Sequence, residues 1–456
     1  MFQQIFHMHK SILILVITFL SCNFMQAQTW QNLFNGKDLG GWKQLNGKAL
    51  YSATNGEIVG TTVFKTPNSF LVTEKEYGDF ILELELRMDS MMNSGIQIRS
   101  ESKESYQGGR VHGYQVEVDP SARAWSGGIY DEARRGWLYP MEYNEGAKKA
   151  YKLGQWNKYR IECIGSTIRT WLNGVPCAHL IDNMTPKGLI ALQVHSIGKE
   201  NEAGRTIHWR NIRIQTTNLK PSSYDTIFVV NMLPNNISEQ EKKNGLKLLW
   251  DGKSTSGWLG AYTKTFPAKG WEIKDGELIV LGSGNTTHSN GGDIITTAEY
   301  GAFALQFEFK LTDTANSGLK YFVTVDPAKP GSALGLEYQV LDDDKHPDAK
   351  AGENGNRTLA SLYDLIAAKK IPAARKKIGE WNKAMLVVYP DNRVEHWLNG
   401  YRVVDYVRGS AAFKVLISKS KYKNLPGFGL PPKGHILLQE HGSLVSFRSL
   451  KIRELR

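Results

Sequence analysis

Three short segments carry polar residues at alternating positions: Gln97-Ile98-Arg99, Gln115-Val116-Glu117-Val118-Asp119 and Gln193-Val194-His195. In an extended strand successive side chains point to opposite faces. Gln97 then shares a face with Arg99, Gln115 with Glu117, and Gln193 with His195. Polar groups on the inner side of a strand must be hydrogen-bonded or solvated. The economical arrangement is three neighbouring strands whose polar faces line one groove, where Arg99, Glu117 and His195 converge. A base, a cation and a second titratable group in one groove are the parts needed for general acid–base chemistry. The competing reading is structural, with Glu117 and Arg99 as a cross-strand ion pair and His195 as a packing residue.

Between Trp125 and Trp137 lies a dense run of glycines, aromatics and charges that includes Tyr130, Glu132 and Arg135. Such a mixture suits a sugar site, because rings stack on aromatics while carboxylates and guanidiniums bind hydroxyls. A tight turn with a surface salt bridge explains the same residues without a ligand. The chain has no Gly-rich phosphate loop, serine nucleophile elbow, Cys/His zinc spacing or dinucleotide fingerprint.

The chain repeats itself, so each candidate has a second version. Phe34-Asn35-Gly36-Lys37…Gly41-Trp42 returns as Trp250-Asp251-Gly252-Lys253…Gly257-Trp258. Asn93-Ser94-Gly95 returns as Asn316-Ser317-Gly318, Trp156-Asn157-Lys158 as Trp381-Asn382-Lys383, Trp171-Leu172-Asn173-Gly174 as Trp397-Leu398-Asn399-Gly400, and Gln193-Val194-His195 as Gln439-Glu440-His441. The blocks keep their order while the offset grows from 216 to 246, which marks a duplicated domain with insertions in the second copy. The second copy offers Lys320, Glu337, Gln339, Gln439 and His441, with Tyr363 in the stretch matching Tyr130. Aligning Gly113 with Gly335 places Glu337 on Gln115 and Gln339 on Glu117, so acid and amide have exchanged. Arg99 has become Phe322. Asp342-Asp343-Asp344 with His346 and Asp348 is a carboxylate-rich run that could hold a hard divalent cation. It lacks the glycine and terminal glutamate of an EF-hand loop, and a solvated acidic turn explains it as well.

Strands must position these residues. Phe80 to Arg87 alternates apolar and charged residues, and Phe303 to Lys310 repeats the pattern. Tyr159 to Ile164, Thr167 to Leu172 and Val175 to Leu180 form a meander with turns at Gly165-Ser166 and Asn173-Gly174. Ser238-Glu239-Gln240-Glu241 is a capping box that starts a short helix, and a second helix is expected from Thr358 to Lys370. Many short strands with Gly-rich turns imply antiparallel sandwiches or jelly rolls. The domains are read as 28–216 and 239–456, joined by a linker over 217–238 in which Thr226 to Val230 could add an edge strand.

Residues 1–27 read as a secretory signal, with Lys10 ahead of the apolar run Ile12 to Leu20. That run is shorter than the ~20 residues a membrane span needs. Cleavage after Ala27 predicts a soluble periplasmic or envelope protein. Acylation at Cys22 would make a lipoprotein, although Phe19 disfavours it. Cys163 and Cys177 fall on the first and third strands of the meander, too far apart for a disulfide. The formal charge of +11 suits a solvated surface, and nothing in the chain resembles a nucleic-acid motif.

The ordered blocks resemble the 3-keto-disaccharide hydrolases, also described as 3-keto-glucoside lyase/hydratases. The resemblance rests on Asn35-Gly36-Lys37…Gly41-Trp42, Asn93-Ser94-Gly95-Ile96, Gly113-Tyr114-Gln115-Val116-Glu117, Trp171-Leu172-Asn173-Gly174 and Leu192-Gln193-Val194-His195. It extends to Gly335-Leu336-Glu337-Tyr338-Gln339-Val340-Leu341-Asp342 and Leu438-Gln439-Glu440-His441 in the second copy. It implies an all-β chain of two tandem concanavalin-like β-sandwiches and a substrate that is a sugar oxidised at C3. The ketone acidifies the hydrogen on C2. A base removes it, the enolate forms, the C1 substituent leaves, and water adding back gives net hydrolysis. On this reading His195 or Glu117 is the base in the first copy, with Arg99 stabilising the oxyanion. His441 and Glu337 are the pair in the second, with Lys320, or a divalent metal ion, as electrophile. Gln97, Gln115, Gln193, Tyr130, Glu132, Arg135, Gln339, Tyr363 and Gln439 are the candidate sugar contacts. The rival readings are a non-catalytic glycan-binding protein and an ordinary glycosidase using Glu117 and Glu132.

Overall fold

The computed structural model describes residues 30–456 apart from 224, 283–290, 327 and 330. The expected signal segment, with Lys10, Cys22 and Ala27, lies outside the described residues. Two β-sandwiches follow one another, and the period-two pattern explains how each closes. Along Phe80–Met88 the residues Leu82, Leu84, Leu86 and Met88 face the first core. Glu83, on the outer face, accepts from Arg160 (2.9 Å) and Arg213 (2.6 Å). Phe303–Leu311 repeats this, sending Phe303, Leu305, Phe307 and Phe309 into the second core.

In the first sandwich a nine-stranded sheet packs behind a seven-stranded one. The smaller sheet runs, in spatial order, Gly136–Tyr139, Ile129–Glu132, Gly113–Val118, Ser94–Ser100, Leu189–Val194, Ser69–Thr73 and Trp42–Asn46. In the second an eight-stranded sheet backs a five-stranded one, ordered Trp258–Gly260, Ile294–Tyr300, Gly434–Leu438, Asn316–Thr324 and Leu334–Leu341. The polar segments therefore lie on adjacent strands in both copies. Among the described residues no helix is long and apolar enough to cross a membrane.

The repeated motifs are structural devices. Asn35 Oδ1 accepts the amides of Lys37 and Asp38, as Asp251 Oδ1 accepts those of Lys253 and Ser254. Trp42 and Trp258 then anchor each turn through indole bonds to Leu33 O (2.8 Å) and Leu249 O (3.0 Å). Asn173, at φ +50° in its hairpin turn, donates to Asn157 Oδ1 (2.9 Å) and Ala150 O (2.8 Å). Asn399 repeats the brace on Asn382 Oδ1 (2.8 Å) and Ala374 O (2.6 Å).

The meander forms as Asn157–Ile164, Thr167–Leu172 and Val175–Ile181, and Cys163 and Cys177 are buried free thiols. The capping box at Ser238 starts the helix Glu239–Lys243. Among the described residues of the linker only Val230–Asn231 joins a sheet, parallel to Leu180 and Ile181. The expected helix over Thr358 to Lys370 does not form. Ala360 (φ +64°) and Asp364 (φ +62°) take left-handed conformations, and Leu362 bridges to Tyr338 instead. A helix runs instead over Ala411–Lys419, capped by Ser410.

The two domains touch. Tyr143 stacks between Phe228 (centroids 4.6 Å apart) and Trp397 (6.0 Å). Lys376 Nζ donates to Arg135 O across the junction (3.2 Å).

Candidate functional clefts

Strand register builds the floor of each cleft. In the first domain Gly95 faces Glu117 and Gln97 faces Gln115. Gln115 lies over Gly95, where a Cβ would come within 2.3 Å of its Cδ. Glu117 is buried and accepts from Asn93 Nδ2 (2.6 Å) and Gln115 Nε2 (3.3 Å). Burial raises its carboxyl to about 7, helped by the neighbouring Asp119 and opposed by the amide bonds. Tyr130, Glu132, Trp137, Arg110, Arg123 and His195 complete a cleft of about 340 Å³. His195 is held through Nδ1 at 2.7 Å from Ser196 O.

The raised Glu117 value has a consequence for stability. The folded state holds the proton more tightly than the unfolded chain, whose ordinary value is 4.5. The resulting stabilisation is fully present below that value and lost as pH rises through about 7. Between those limits the wild type should lose roughly 1.4 kcal/mol per pH unit relative to Glu117→Gln in denaturant titrations. Parallel pH profiles for the two proteins would show that Glu117 is ionised in the folded state throughout.

Two sequence expectations are corrected. Arg99 does not enter the cleft, because the strand is bulged there. Arg99 has φ +46°, and the pairing slips between Gln97↔Ala191 and Ser100↔Leu189. The bulge turns Arg99 away to bond Gly78 O (2.8 Å), Gly165 O (2.8 Å) and Asp79 (2.9 Å), where it ties two loops together. Ser100 takes the cleft side and donates to Gln97 Oε1 (2.6 Å). Phe322 sits at the matching bulge (φ +53°) with the Arg408 guanidinium 3.8 Å from its ring centre. Arg135 also points away from the cleft, paired with buried Asp131 and with Asp182 (2.6 Å). The tight-turn reading holds for Arg135, whereas Tyr130 and Glu132 line the cleft. Gln97 and Gln193 are fully buried in the floor.

In the second domain Gly318 faces Gln339 and Lys320 faces Glu337, so the acid and amide have exchanged places as aligned. Glu337, Lys320, Gln339, Tyr363, Gln439 and His441 line one cleft of about 160 Å³, together with Asn316, Asp348, Lys421 and Tyr422. Burial raises the Glu337 carboxyl, while Lys320 and then Lys421 pull it down. Burial likewise lowers Lys421, opposed by Glu337. Tyr363 donates to Asp348 Oδ2 (2.7 Å), and Arg357 binds Asp348 (3.0 Å) and Asp364 (2.7 Å). Lys421 Nζ lies 4.1 Å from the Tyr363 ring centre. Sequence reasoning missed Lys421, which follows the helix Ala411–Lys419. The one signal was that most of the growth in repeat offset falls between Trp397 and Gln439.

Gly318 is required for this arrangement, since a Cβ there would stand 2.3 Å from Glu337 Oε1. Gly318→Ala must displace the carboxylate. Any reaction that uses Glu337 should slow about 100-fold, the scale expected when a reacting group is misplaced, with the fold retained by circular dichroism. Undiminished turnover would show that the position of Glu337 does not matter.

The acidic run does not gather its oxygens at one point. Asp342 accepts from Thr314 N (2.9 Å) and Asp344 N (3.1 Å); Asp343 accepts from Leu359 N (2.6 Å) and Lys370 (2.8 Å). Asp344 pairs with Arg375, and His346 Nδ1 accepts from Asp348 N (3.2 Å). Among the described residues no three His, Cys, Asp or Glu side chains are grouped to hold a metal ion. This donor set does not fit a cation site. A cavity of about 850 Å³ adjoins this run, lined by Asp342, Asp343 and Asp344, by Lys369, Lys370 and Arg375 opposite them, and by aliphatic side chains such as Leu311 and Leu398; none of the residues of the Glu337 cleft lines it.

The sequence is similar to a 3-keto-disaccharide hydrolase of Bacteroides thetaiotaomicron, 35% identical over 234 residues that cover 46% of this chain and 79% of that one. Among solved structures, a provisionally assigned glycosyl hydrolase from Parabacteroides distasonis is 31% identical, covering 49% of this chain and all of that one (100%), with a TM-score of 0.43. A carbohydrate-binding module from Bacillus subtilis is 17% identical, covering 40% of this chain and 97% of that one, with a TM-score of 0.27. The 3-keto-alpha-glucoside-1,2-lyase-like domain matches residues 29–215 and again residues 245–453. The chain therefore belongs to the 3-keto-alpha-glucoside-1,2-lyase-like family, with two copies of its domain in tandem.

Proposed function

We propose that the protein cleaves 3-keto-glycosides by elimination across C1 and C2, and that the second-domain cleft does this chemistry. The observation that carries the reading is Glu337 facing Lys320 across the strand pair, with Lys421 on the same cleft. A carboxylate raised by burial is a stronger base than a solvated one, and a base tuned towards neutral pH transfers protons efficiently. Glu337 takes the C2 proton. The electron pair moves onto the C3 oxygen, and the ammonium groups of Lys320 and Lys421 stabilise the enolate. The enolate collapses to a C1–C2 double bond, and the C1–O bond breaks. His441 hands a proton to the departing oxygen. Water adding at C1, with a proton returning to C2, gives the free 3-keto sugar and net hydrolysis.

The family membership and the B. thetaiotaomicron relative support this substrate class. The periplasm or envelope is the proposed location, from the leader. The test is release of sugar from a 3-keto-glucoside and from its unoxidised parent. Cleavage of the keto form alone supports elimination. Cleavage of the parent would identify an ordinary glycosidase, and cleavage of neither, with sugar still bound, a binding protein.

A further inference from the structure

The first cleft lacks the cations that flank Glu337. Gln97 stands where Lys320 does, and its amide donates to Gln115 (2.6 Å) while accepting from Ser100 (2.6 Å). The segment that delivers Lys421 has no counterpart. In the second domain residues 408–433 connect the strands Tyr401–Val407 and Gly434–Leu438, whereas residues 182–188 connect Val175–Ile181 and Leu189–Val194 in the first. The guanidiniums of Arg110 and Arg123 are already paired, with Glu132 (3.3 Å) and Asp119 (2.8 Å). A proton abstracted here would leave an enolate with no lysine beside it.

What the cleft has instead is an aromatic wall and hydroxyl-binding groups. Trp137 meets Tyr130 at 5.1 Å and Trp125 at 4.4 Å between ring centres, both edge-on. The Arg123 guanidinium spans the two indoles, at 4.9 Å from Trp137 and 4.6 Å from Trp125. Behind Trp125 stands Tyr401, 5.8 Å away, from the second domain. It follows the hairpin tip Gly400 (φ +90°), which presses on the first domain so closely that a Cβ would meet Pro140 Cγ at 2.5 Å. Carboxyl groups such as Glu132 call for ligand groups that donate protons. An unoxidised pyranose offers such a donor at C3, where a 3-keto sugar offers only an acceptor.

We propose that the first cleft is a separate binding site for an unoxidised pyranose, with Tyr401 of the second domain positioning its aromatic wall. The proposal rests on the reading that the chain handles glycosides, but not on catalysis at Glu337. A pyranose would lay its C–H face on Trp137 and direct its hydroxyls to Glu132, Gln115 and Asn93.

The test uses the full chain carrying Glu337→Gln, with methyl α-glucoside and an α-linked glucose disaccharide as probes, followed by calorimetry and tryptophan fluorescence. Binding should weaken about tenfold with Trp137→Ala and about threefold with Tyr401→Ala. Tyr401→Phe, which keeps the ring, should retain full affinity and the same fluorescence change. Should Tyr401→Ala unfold, Tyr401→Leu serves in its place. Absence of binding at millimolar probe would overturn the proposal. So would binding that survives Trp137→Ala but is lost with Tyr363→Ala, since that sugar would sit in the second cleft. Full affinity in Tyr401→Ala would overturn the positioning role. Failure of the protein with Glu337 intact to cleave a 3-keto-glucoside, with probe binding retained, would remove the proposed reaction and leave this inference standing.

Discussion

Replacing Glu337 by glutamine is expected to lower kcat on a 3-keto-glucoside by about 1,000-fold, the scale of a lost general base. The amide keeps the shape of the side chain but cannot take the C2 proton. Glu337 is buried and its carboxyl is raised by that burial, so removing its charge should leave the fold intact or slightly more stable. KM should change little, because the lost interaction belongs to the transition state. Glu117→Gln is the matched control in the other cleft, and its kcat should stay within about threefold of wild type. The reverse ranking of the two variants would place the reaction in the first domain.

The largest effect on stability is expected where the linker meets the second sandwich. Lys451 and Glu241 form an ion pair at 2.7 Å, with both side chains only 2% exposed. Glu241 also accepts from Asn231 Nδ2 (2.7 Å) and Ser238 N (2.8 Å), so the carboxylate closes the helix cap and docks the linker together. Lys451→Ala leaves that carboxylate buried without its cation and should cost about 3–5 kcal/mol. Lys451→Met with Glu241→Gln should cost less than the single change, because no uncompensated charge remains. Urea unfolding of the three proteins measures this directly. A loss below about 1 kcal/mol for Lys451→Ala would mean that water reaches the pair in solution.

The two clefts differ in how far they were legible from sequence. Strand neighbours followed from the alternation of Gln115 with Glu117 and Gln193 with His195, because inner polar residues must be satisfied. The exchange of acid and amide followed from aligning Gly113 with Gly335, and the register bears that alignment out. Arg99 was misplaced because the same alternation assumes an unbroken strand. A bulge inverts every face beyond it, and neither Arg99 nor Phe322 is a residue type that signals a left-handed backbone. The helix expected near Thr358 failed because Leu362 pairs with a strand far away in the sequence, a contact that local propensity does not encode. Lys421 lay in an insertion with no partner in the other copy, so comparison of the repeats could not assign it. The motifs that repeat most faithfully, such as Asn173-Gly174 and Asn399-Gly400, turned out to brace hairpins.

The central claim is that the C2 hydrogen is removed during cleavage, and hydrolysis of a 3-keto-glucoside in deuterium oxide tests it most directly. Mass and NMR spectra of the sugar released at early times, read against the unreacted substrate, should show one deuterium at C2, with Glu337→Gln releasing almost none of this product. Sugar released at the wild-type rate with protium still at C2 would contradict elimination and require direct displacement at C1.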